Sequence, residues 1–488
     1  MSTDFKKLLP ETAAQFINNT WVASKNTDDI KNPATGETIA EVAAGTTADT
    51  DNAIAAAKAA QIKWAATPQP QRANYLYAFA QQIEKHKNAL ATLLTTEQGK
   101  PLAESEGEVD TAILMLRYYA GLGWKRTGHV LASNYPNHQA ITKEAPLGVV
   151  AAIIPWNFPL AIFTRKTAPA LVAGNTIIVK PSENTPLCSL ALATLSKAAG
   201  IPDGVINVIC GEGSKVGDAL VKHPDVQLVT MTGSTRAGKI IAKNAAEKVI
   251  PVSLELGGKA PFIVLADADI EKAAQDAIDA RMANCGQVCI CNERTYVQRE
   301  AYEPFMRALK KAAEAIVVGD PLAKKTTMGP KVSPAEKEHV EELLAKTQQE
   351  GGKIFWQGSI PSDEKFKGGN WVAPTIVTDL PATATILKEE AFGPILPVVV
   401  FDTIDEVVGL ANDCEYGLSS YLYTRDLIAA MQISDALEYG EVYINRYGPE
   451  EINGFHAGWK LSGIGGDDSE HGYQIYVKQK TVYLNYQS

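Results

Sequence analysis

A disulfide framework, long apolar runs and runs of basic residues are all missing from this sequence. Six cysteines scattered through 488 residues form no disulfide framework, and a reducing, cytoplasmic setting is expected. No window of about 18 uninterrupted apolar residues occurs, so no transmembrane helix and no membrane partner are expected. Residues 1–16, MSTDFKKLLPETAAQF, carry acids and lack a long apolar core, so no secretory signal is expected there. The formal net charge is −10, with no run of basic residues. That argues against nucleic acid as a partner, because phosphate binding needs local positive charge. No histidine lies near the cysteine-rich stretch, where the spacings of four and two residues match no zinc pattern; no metal is expected.

What is present is an ordinary globular composition, 45% hydrophobic and 21% charged. A chain this long exceeds one simple core and suggests two or three domains. Phe16-Ile17 and Trp21-Val22 flank Asn18-Asn19, and Asn32-Pro33 and Thr35-Gly36 break the chain again; short antiparallel strands follow from that pattern. Leu76, Phe79 and Ile83, then Leu90, Leu93 and Leu94, have helical spacing, with Gly99 as a stop. Residues 104–120 predict another amphipathic helix. From Gly148 the pattern changes: GVVAAII at 148–154 is a continuous apolar run, as in strands buried on both faces of a parallel sheet. Strands at 176–179, 205–209, 228–231 and 251–256 alternate with helices at 189–199, 216–221 and 238–246. This predicts a doubly wound sheet with ligands at the carboxyl ends of its strands. A second α/β unit is expected after Glu255, with strands at 262–265, around Tyr296 and at 396–401, and helices at 270–283, 302–317 and 334–350. The crevice between the two units is the expected site. Residues 475–484 alternate apolar and polar and predict a last strand.

The stretch Arg281 to Arg294, RMANCGQVCICNER, holds three of the six cysteines: Cys285, Cys289 and Cys291. Buried structural thiols, a metal site and a catalytic thiol compete for it. A thiolate is the nucleophile, so a working cysteine needs a nearby base or positive field. Cys289 follows Gly286-Gln287, small and polar residues that let backbone or substrate come close. Upstream, Glu255 in LELGGK lies between two leucines where a strand breaks into a turn. Partial desolvation raises such a carboxyl toward a useful general-base value; an ordinary surface glutamate is the plain alternative. Gly211-Glu212-Gly213 leads to Gly217 without a clean G-x-G-x-x-G, and GSTRAG at 233–238 opens a helix. Free N–H groups there favour a phosphate, against a plain glycine turn.

ELGGK and GQVC place Glu255 and Cys289 34 residues apart (289 − 255 = 34). With PWNFP at 155–159, KPSE at 180–183, GSTRAG at 233–238 and EEAFGP at 389–394, they resemble the signature of the NAD(P)-dependent aldehyde dehydrogenase superfamily. These six motifs, in the right order, extend over nearly the whole chain. The resemblance implies an α/β, aldehyde dehydrogenase-like fold. A doubly wound NAD-binding domain would cover 1–124 and 146–255, and a second α/β catalytic domain 256–445. Small β oligomerisation elements at 125–145 and 470–488 would make a homodimer or homotetramer. It implies Cys289 as the nucleophile, Glu255 as the base that activates water, and Asn157 with the Cys289 N–H as oxyanion donors. Lys166 matches a family lysine near the ribose. For the cofactor it implies Ile154, Pro155, Trp156, Asn157, Lys180, Ser182, Glu183, Gly213, Gly217, Gly233, Ser234, Leu256, Glu390 and Phe392. A Glu183 carboxylate would repel a 2′-phosphate, so NAD is expected over NADP. Without the resemblance, Asn157 is a turn residue, Lys166 a solvated helix lysine, Glu390 a surface acid and Phe392 a core aromatic.

Arg165 follows PWNFP and is expected to face the substrate tunnel, where a cation suits a polar or anionic aldehyde. A helix arginine paired to an acid is the plain alternative. GFHAGWK at 454–460 departs from the commoner P-F-G-G version and closely resembles bacterial lactaldehyde/glycolaldehyde dehydrogenases. That puts His456 and Glu450 in reach of the tunnel, with His456 donating to a 2-hydroxyl; a lone histidine is otherwise more often structural. Small 2-hydroxyaldehydes are the first expectation. Succinate semialdehyde is the second, because Thr164-Arg165-Lys166 and the Cys289-x-Cys291 pair also resemble that subfamily. A Cys289–Cys291 disulfide that stops the enzyme under oxidation competes with Cys291 as a pocket-lining residue. A non-enzymatic binding protein would be free to lose Cys289, Glu255 or Asn157, and all three are present. Acyl transfer to coenzyme A is disfavoured by a hydrolytic base.

Overall fold

The computed structural model describes residues 4–125 and 127–486. The described residues build two large sheets, a three-stranded sheet and two two-stranded ribbons. In the first sheet the parallel strands lie in the order Ile206–Val208, Thr176–Lys180, Val149–Ile153, Val226–Thr232, Val252–Glu255. Numbered along the chain this is 3-2-1-4-5, the doubly wound arrangement whose switch point opens a crevice beside the first strand. Apolar residues on both faces of these strands are buried against helices, which is why the runs read as continuous rather than alternating.

The amino-terminal hairpin, Ala14–Ile17 with Thr20–Ala23, adds an antiparallel edge to this sheet. Its turn residues Asn18 and Asn19 both have left-handed backbone, φ +53° and +56°, as a two-residue type I′ turn requires. The helices Gln69–Lys85, Lys87–Gln98 and Leu102–Gly121 lie close to the sequence expectation. Gly99 ends the second of them in the left-handed conformation, φ +98°, where a side chain is disfavoured.

The second sheet runs Lys353–Gln357, Thr375–Thr378, Ile395–Phe401, Asn292–Gln298, Ala260–Val264, Ser419–Tyr423, Glu441–Ile444. All neighbours are parallel except the first pair. Four of these strands, at 353–357, 375–378, 419–423 and 441–444, were not anticipated from the sequence. They are short, and each carries polar residues among its apolar ones. The helix expected at 302–317 occupies Arg299–Ala313. Its apolar continuation, Ile316 to Val318, turns off instead, and Val318 forms an isolated bridge to Met328.

The small sheet is antiparallel, Val477–Asn485 beside His138–Pro146 beside Gly128–Leu131. Arg126, Gln487 and Ser488, within the stretches assigned above to oligomerisation, lie outside the described residues. The chain also returns once to the first sheet. Gly463–Ile464 pairs antiparallel with Leu254 and Glu255, so the segment just before it lies across the carboxyl end of the Glu255 strand. No described helix is long and apolar enough to cross a membrane.

Candidate active site

The first-sheet strand Val252–Glu255 ends at a carboxylate that is 2% exposed. Neither Glu255 oxygen has a hydrogen-bond partner. Burial pushes this carboxyl up to about 8, against the pull of His456 and Lys166. A buried group with open lone pairs and a pKa near neutrality has the properties of a general base. The chain then passes through Gly257-Gly258 toward the nucleophile loop. A Cβ at Gly258 would sit 2.4 Å from the Cys289 carbonyl oxygen, so only glycine allows this approach of the two backbones.

The helix Ile270–Met282 delivers the cysteine loop. Asn284, Cys285 and Gly286 all have left-handed backbone, φ +47°, +58° and +73°. Consecutive non-glycine residues in that region are strained and persist only where the surroundings over-determine them. Here the Gln287 amide donates to the Asn284 carbonyl at 2.8 Å and accepts the Val332 N–H at 3.0 Å. Cys289 is partly exposed, while Cys285 and Cys291 are buried. Burial pushes the Cys285 and Cys291 thiols up to about 12. Cys291 is 2% exposed. Its sulfur accepts from Arg281 at 3.0 Å and lies 3.6 Å from the Gly286 carbonyl, in the protein interior. A Cys289–Cys291 bridge therefore requires the Arg281 contact to break.

Asn157 sits in the turn after Val149–Ile153, at the switch point. One of its amide N–H groups donates to the Gln287 carbonyl at 3.0 Å, leaving the second for a ligand. Its own carbonyl is gripped by Lys100 at 2.7 Å and Asn284 at 3.0 Å. Lys100 is also paired with buried Glu108, which accepts the N–H groups of Leu160 and Ala161 at 2.8 and 3.2 Å. Those are orphan donors of the first turn of the helix Pro159–Ala173, so the turn and the helix start are fixed by one buried ion pair.

That helix is buried along its whole length and carries Arg165 and Lys166. Arg165 is 7% exposed. Its guanidinium faces two carboxylates, Glu450 in a short contact and Asp468 at 2.9 Å. Burial would lower its pKa, but Asp468 and Glu450 more than compensate. Glu450 is raised by burial and lowered more strongly by Arg165 and His456, and is held at about 2. Lys166 pairs with Asp467 at 2.6 Å and pulls on the Glu255 carboxyl. Its partner is thus beside the base, rather than among the residues expected at the ribose.

His456 is the junction of the site. Its Nδ1 is 2.9 Å from Glu441 and its Nε2 3.6 Å from Glu255. Its backbone exchanges both hydrogen bonds with Asp467. Burial works against the charged ring, but Glu441, a hydrogen bond to Cys289 and Glu450 together hold it well above its ordinary value. One imidazole thus connects the candidate nucleophile, the candidate base and the Arg165 cluster.

The expected cofactor residues divide into two groups. At the first, Lys180 is 2.9 Å from Glu183, which accepts the Gly213 N–H at 2.6 Å. A Cβ on Gly213 would lie 3.5 Å from Glu183 and 3.9 Å from Lys180, so this backbone lies directly against the pair. Ser182 caps its own turn, accepting from the Asn184 N–H, and Gly217 closes the π-turn Gly213–Gly217. At the second, Trp156 and Phe392 meet edge-on with centroids 5.4 Å apart, close to Ile154-Pro155 and Glu390. Burial raises the Glu390 carboxyl to about 7, and it accepts the Gly258 N–H at 2.7 Å. Between the groups, Ser234 caps the helix Thr235–Lys248, the Gly233 N–H donates to the Glu255 carbonyl at 2.9 Å, and buried Leu256 packs under Gly238. Donors and acceptors at strand ends together with a helix start have the chemistry that suits a dinucleotide.

Sequence reasoning missed Glu441, Asp467, Asp468, Lys100, Glu108 and Glu293. Some signal was present: Asp467-Asp468 ends a glycine-rich run, and Glu293 is an acid within a strand that is buried almost throughout. Nothing local marked Glu441, whose role depends on a histidine 15 positions away.

A profile of the aldehyde dehydrogenase family matches residues 21–482. The chain is 45% identical to a 3,6-anhydro-alpha-L-galactose dehydrogenase of Streptomyces coelicolor over 485 residues, covering 99% of this chain and 98% of the relative. It is 40% identical to a lactaldehyde dehydrogenase of Escherichia coli over 457 residues, covering 93% and 95%. Its fold is similar to the solved structure of a 3,6-anhydro-L-galactose dehydrogenase in complex with NAP. The TM-score is 0.95, with 43% identity, 97% of this chain and 100% of that chain covered.

Proposed function

The chain belongs to the aldehyde dehydrogenase family, NAD(P)-dependent oxidoreductases acting on aldehydes, and on that premise we propose that it oxidises a small neutral hydroxyaldehyde, lactaldehyde or glycolaldehyde first, to the carboxylic acid with NAD. The observation that carries the substrate reading is the pairing of Arg165. Two carboxylates already face its guanidinium, Lys166 has Asp467, and His456 has Glu441. No cation of this cluster is left over for a distal carboxylate, whereas the carboxylates and the imidazole suit hydroxyl groups. The same cluster disfavours succinate semialdehyde. A second reading, a larger hydroxylated sugar aldehyde, is favoured by the name of the relative at 45% identity.

Cys289 adds to the aldehyde carbon to give a thiohemiacetal. The oxyanion is met by the second Asn157 N–H and the Cys289 backbone N–H. A nicotinamide dinucleotide, when bound, supplies the hydride acceptor. Glu255 then takes a proton from water, and the resulting hydroxide cleaves the thioester on Cys289. His456 lies 3.6 Å from that carboxyl, and both it and Lys166 favour its charged form. In this reading the first-sheet unit with 1–124 and 146–255 carries the cofactor, and 256–445 carries the thiol. The small sheet, with exposed Val130, Leu131, Tyr483 and Leu484, joins copies into a homodimer or homotetramer.

A substrate panel tests the proposal. The kcat/KM for lactaldehyde or glycolaldehyde is expected to exceed that for succinate semialdehyde by at least about tenfold. Arg165→Ala is expected to raise the hydroxyaldehyde KM about tenfold, because Glu450 and Asp468 lose their shared partner. A loss confined to succinate semialdehyde would assign Arg165 to a distal carboxylate and reverse the order of the readings. For the cofactor, Glu183 is half exposed above Lys180 and repels a 2′-phosphate. NAD turnover is expected to exceed NADP turnover at least about tenfold on that charge argument; equal or better use of NADP defeats the preference.

A further inference from the structure

Behind the cysteine loop lies a carboxylate that touches three parts of the site at once. Glu293 belongs to the strand Asn292–Gln298, four residues after Cys289. It is 2% exposed. One oxygen meets Lys259 at 2.6 Å and the Ala391 N–H at 2.9 Å. The other meets Arg281 at 2.6 Å and the Phe392 N–H at 3.1 Å. Lys259 follows the Gly257-Gly258 link to Glu255, and Arg281 also holds the Cys291 sulfur. Ala391 and Phe392 form the turn that presents Glu390 and the Phe392 ring.

That turn does not hold itself. Phe392 has φ +43°, a left-handed conformation that is strained in a non-glycine residue and persists only under outside constraint. Glu293 supplies the constraint by taking both successive N–H groups, and Lys331 takes the Phe392 carbonyl. The approach is also tight: a Cβ on Gly286 would lie 2.3 Å from the Gly393 carbonyl oxygen. The nucleophile loop and this turn are therefore in backbone contact on one side and joined through Glu293 on the other.

We propose that Glu293 is a positioning residue that fixes the Glu390–Phe392 turn against the cysteine loop, and so sets where the coenzyme's nicotinamide end lies relative to Cys289. This rests on reading Glu390 and Phe392 as coenzyme contacts. Glu293 touches neither substrate nor the reacting atoms. Burial alone would raise its carboxyl, but Arg281 and Lys259 outweigh that and hold it at about 2, so the clamp stays charged throughout the working pH range.

The test compares Glu293→Gln with Glu293→Asp. Amide hydrogen exchange of the peptide covering 388–394, in the coenzyme-free protein, is expected to speed up at least tenfold in the Gln variant. In the Asp variant, which keeps the charge but shortens the reach, it is expected to speed up a few-fold. NAD binding, read by intrinsic tryptophan fluorescence, is expected to weaken about tenfold, with the aldehyde KM unchanged. Should the Gln variant fail to fold, the Asp variant carries the test. Unchanged exchange at 388–394 overturns the proposal, as does a rise spread evenly over the second sheet, the mark of a merely structural role. The exchange measurement needs no aldehyde, so a wrong substrate assignment leaves it unaffected. Faster exchange with unaltered NAD binding would instead remove Glu390 and Phe392 from the coenzyme contacts.

Discussion

Cys289→Ala is expected to abolish aldehyde-dependent NAD reduction, with a loss of at least about a thousandfold, as when a covalent nucleophile is removed. The argument is one of access and company. Cys188, Cys210, Cys285 and Cys291 are buried, and the partly exposed Cys414 lies two residues before the Tyr416–Gly417 strand, beside Lys460. Cys289 alone combines exposure with Asn157, Glu255 and His456 around it. The change removes one sulfur from a half-open position, so the fold is expected to survive it. NADH absorbance gives the rate, and peptide mass spectrometry after iodoacetamide treatment identifies the alkylated thiol. Substantial turnover in the Ala variant, or protection of activity while Cys289 is fully alkylated, removes the covalent mechanism.

Glu255→Gln is expected to divide the reaction. Formation of the thioester needs no base at that position, whereas its hydrolysis does. The variant is expected to release about one equivalent of NADH per site in a rapid burst. It then turns over about 100- to 1,000-fold more slowly, the usual range for a lost general base. The sign of the pH dependence follows from burial. Glu255 titrates at about 8 and acts as a base only when deprotonated. Wild-type kcat therefore rises through pH 8 and levels above it, and the Gln variant loses that inflection. Stability moves the opposite way. The folded carboxyl is raised above its unfolded value near 4.3, so its contribution is fully present below about pH 4 and is lost as pH rises through 8. Glutamine mimics the neutral acid and shows no such loss. The melting temperature of the variant relative to wild type should climb between pH 5 and 8. A flat difference, or a full rate without a burst, would falsify the assignment of Glu255 as a buried base.

Much of this architecture was readable because it depends on local pattern. Val149 to Ile154 read as a doubly buried strand, and both of its faces are covered. Asn18-Asn19 read as a turn, and both residues are left-handed. Gly99 read as a helix stop, and it is one. The strands at 419–423 and 441–444 were not readable in the same way. Their burial comes from neighbours far along the chain, and their own sequences, such as SSYLY and EVYI, fit exposed or buried positions equally well.

The separation is sharpest within the site. Residue types and their order determined the family and marked Cys289, Glu255 and Asn157 as candidates, since each motif is a short run whose chemistry is intrinsic to its side chains. Partnerships were decided only by tertiary structure. The sequence showed a cation at Arg165 and left open whether it was free, and the fold sets Glu450 and Asp468 against it. Cys291 was open to a disulfide with Cys289 or a place in the pocket lining, and the fold sets its sulfur against Arg281. Glu293 carried no motif at all and proves to be a hub. The physical reason is the same in each case. The charge state and availability of a buried group depend on what lies within a few ångströms, and those neighbours come from strands and loops that only the folded chain brings together.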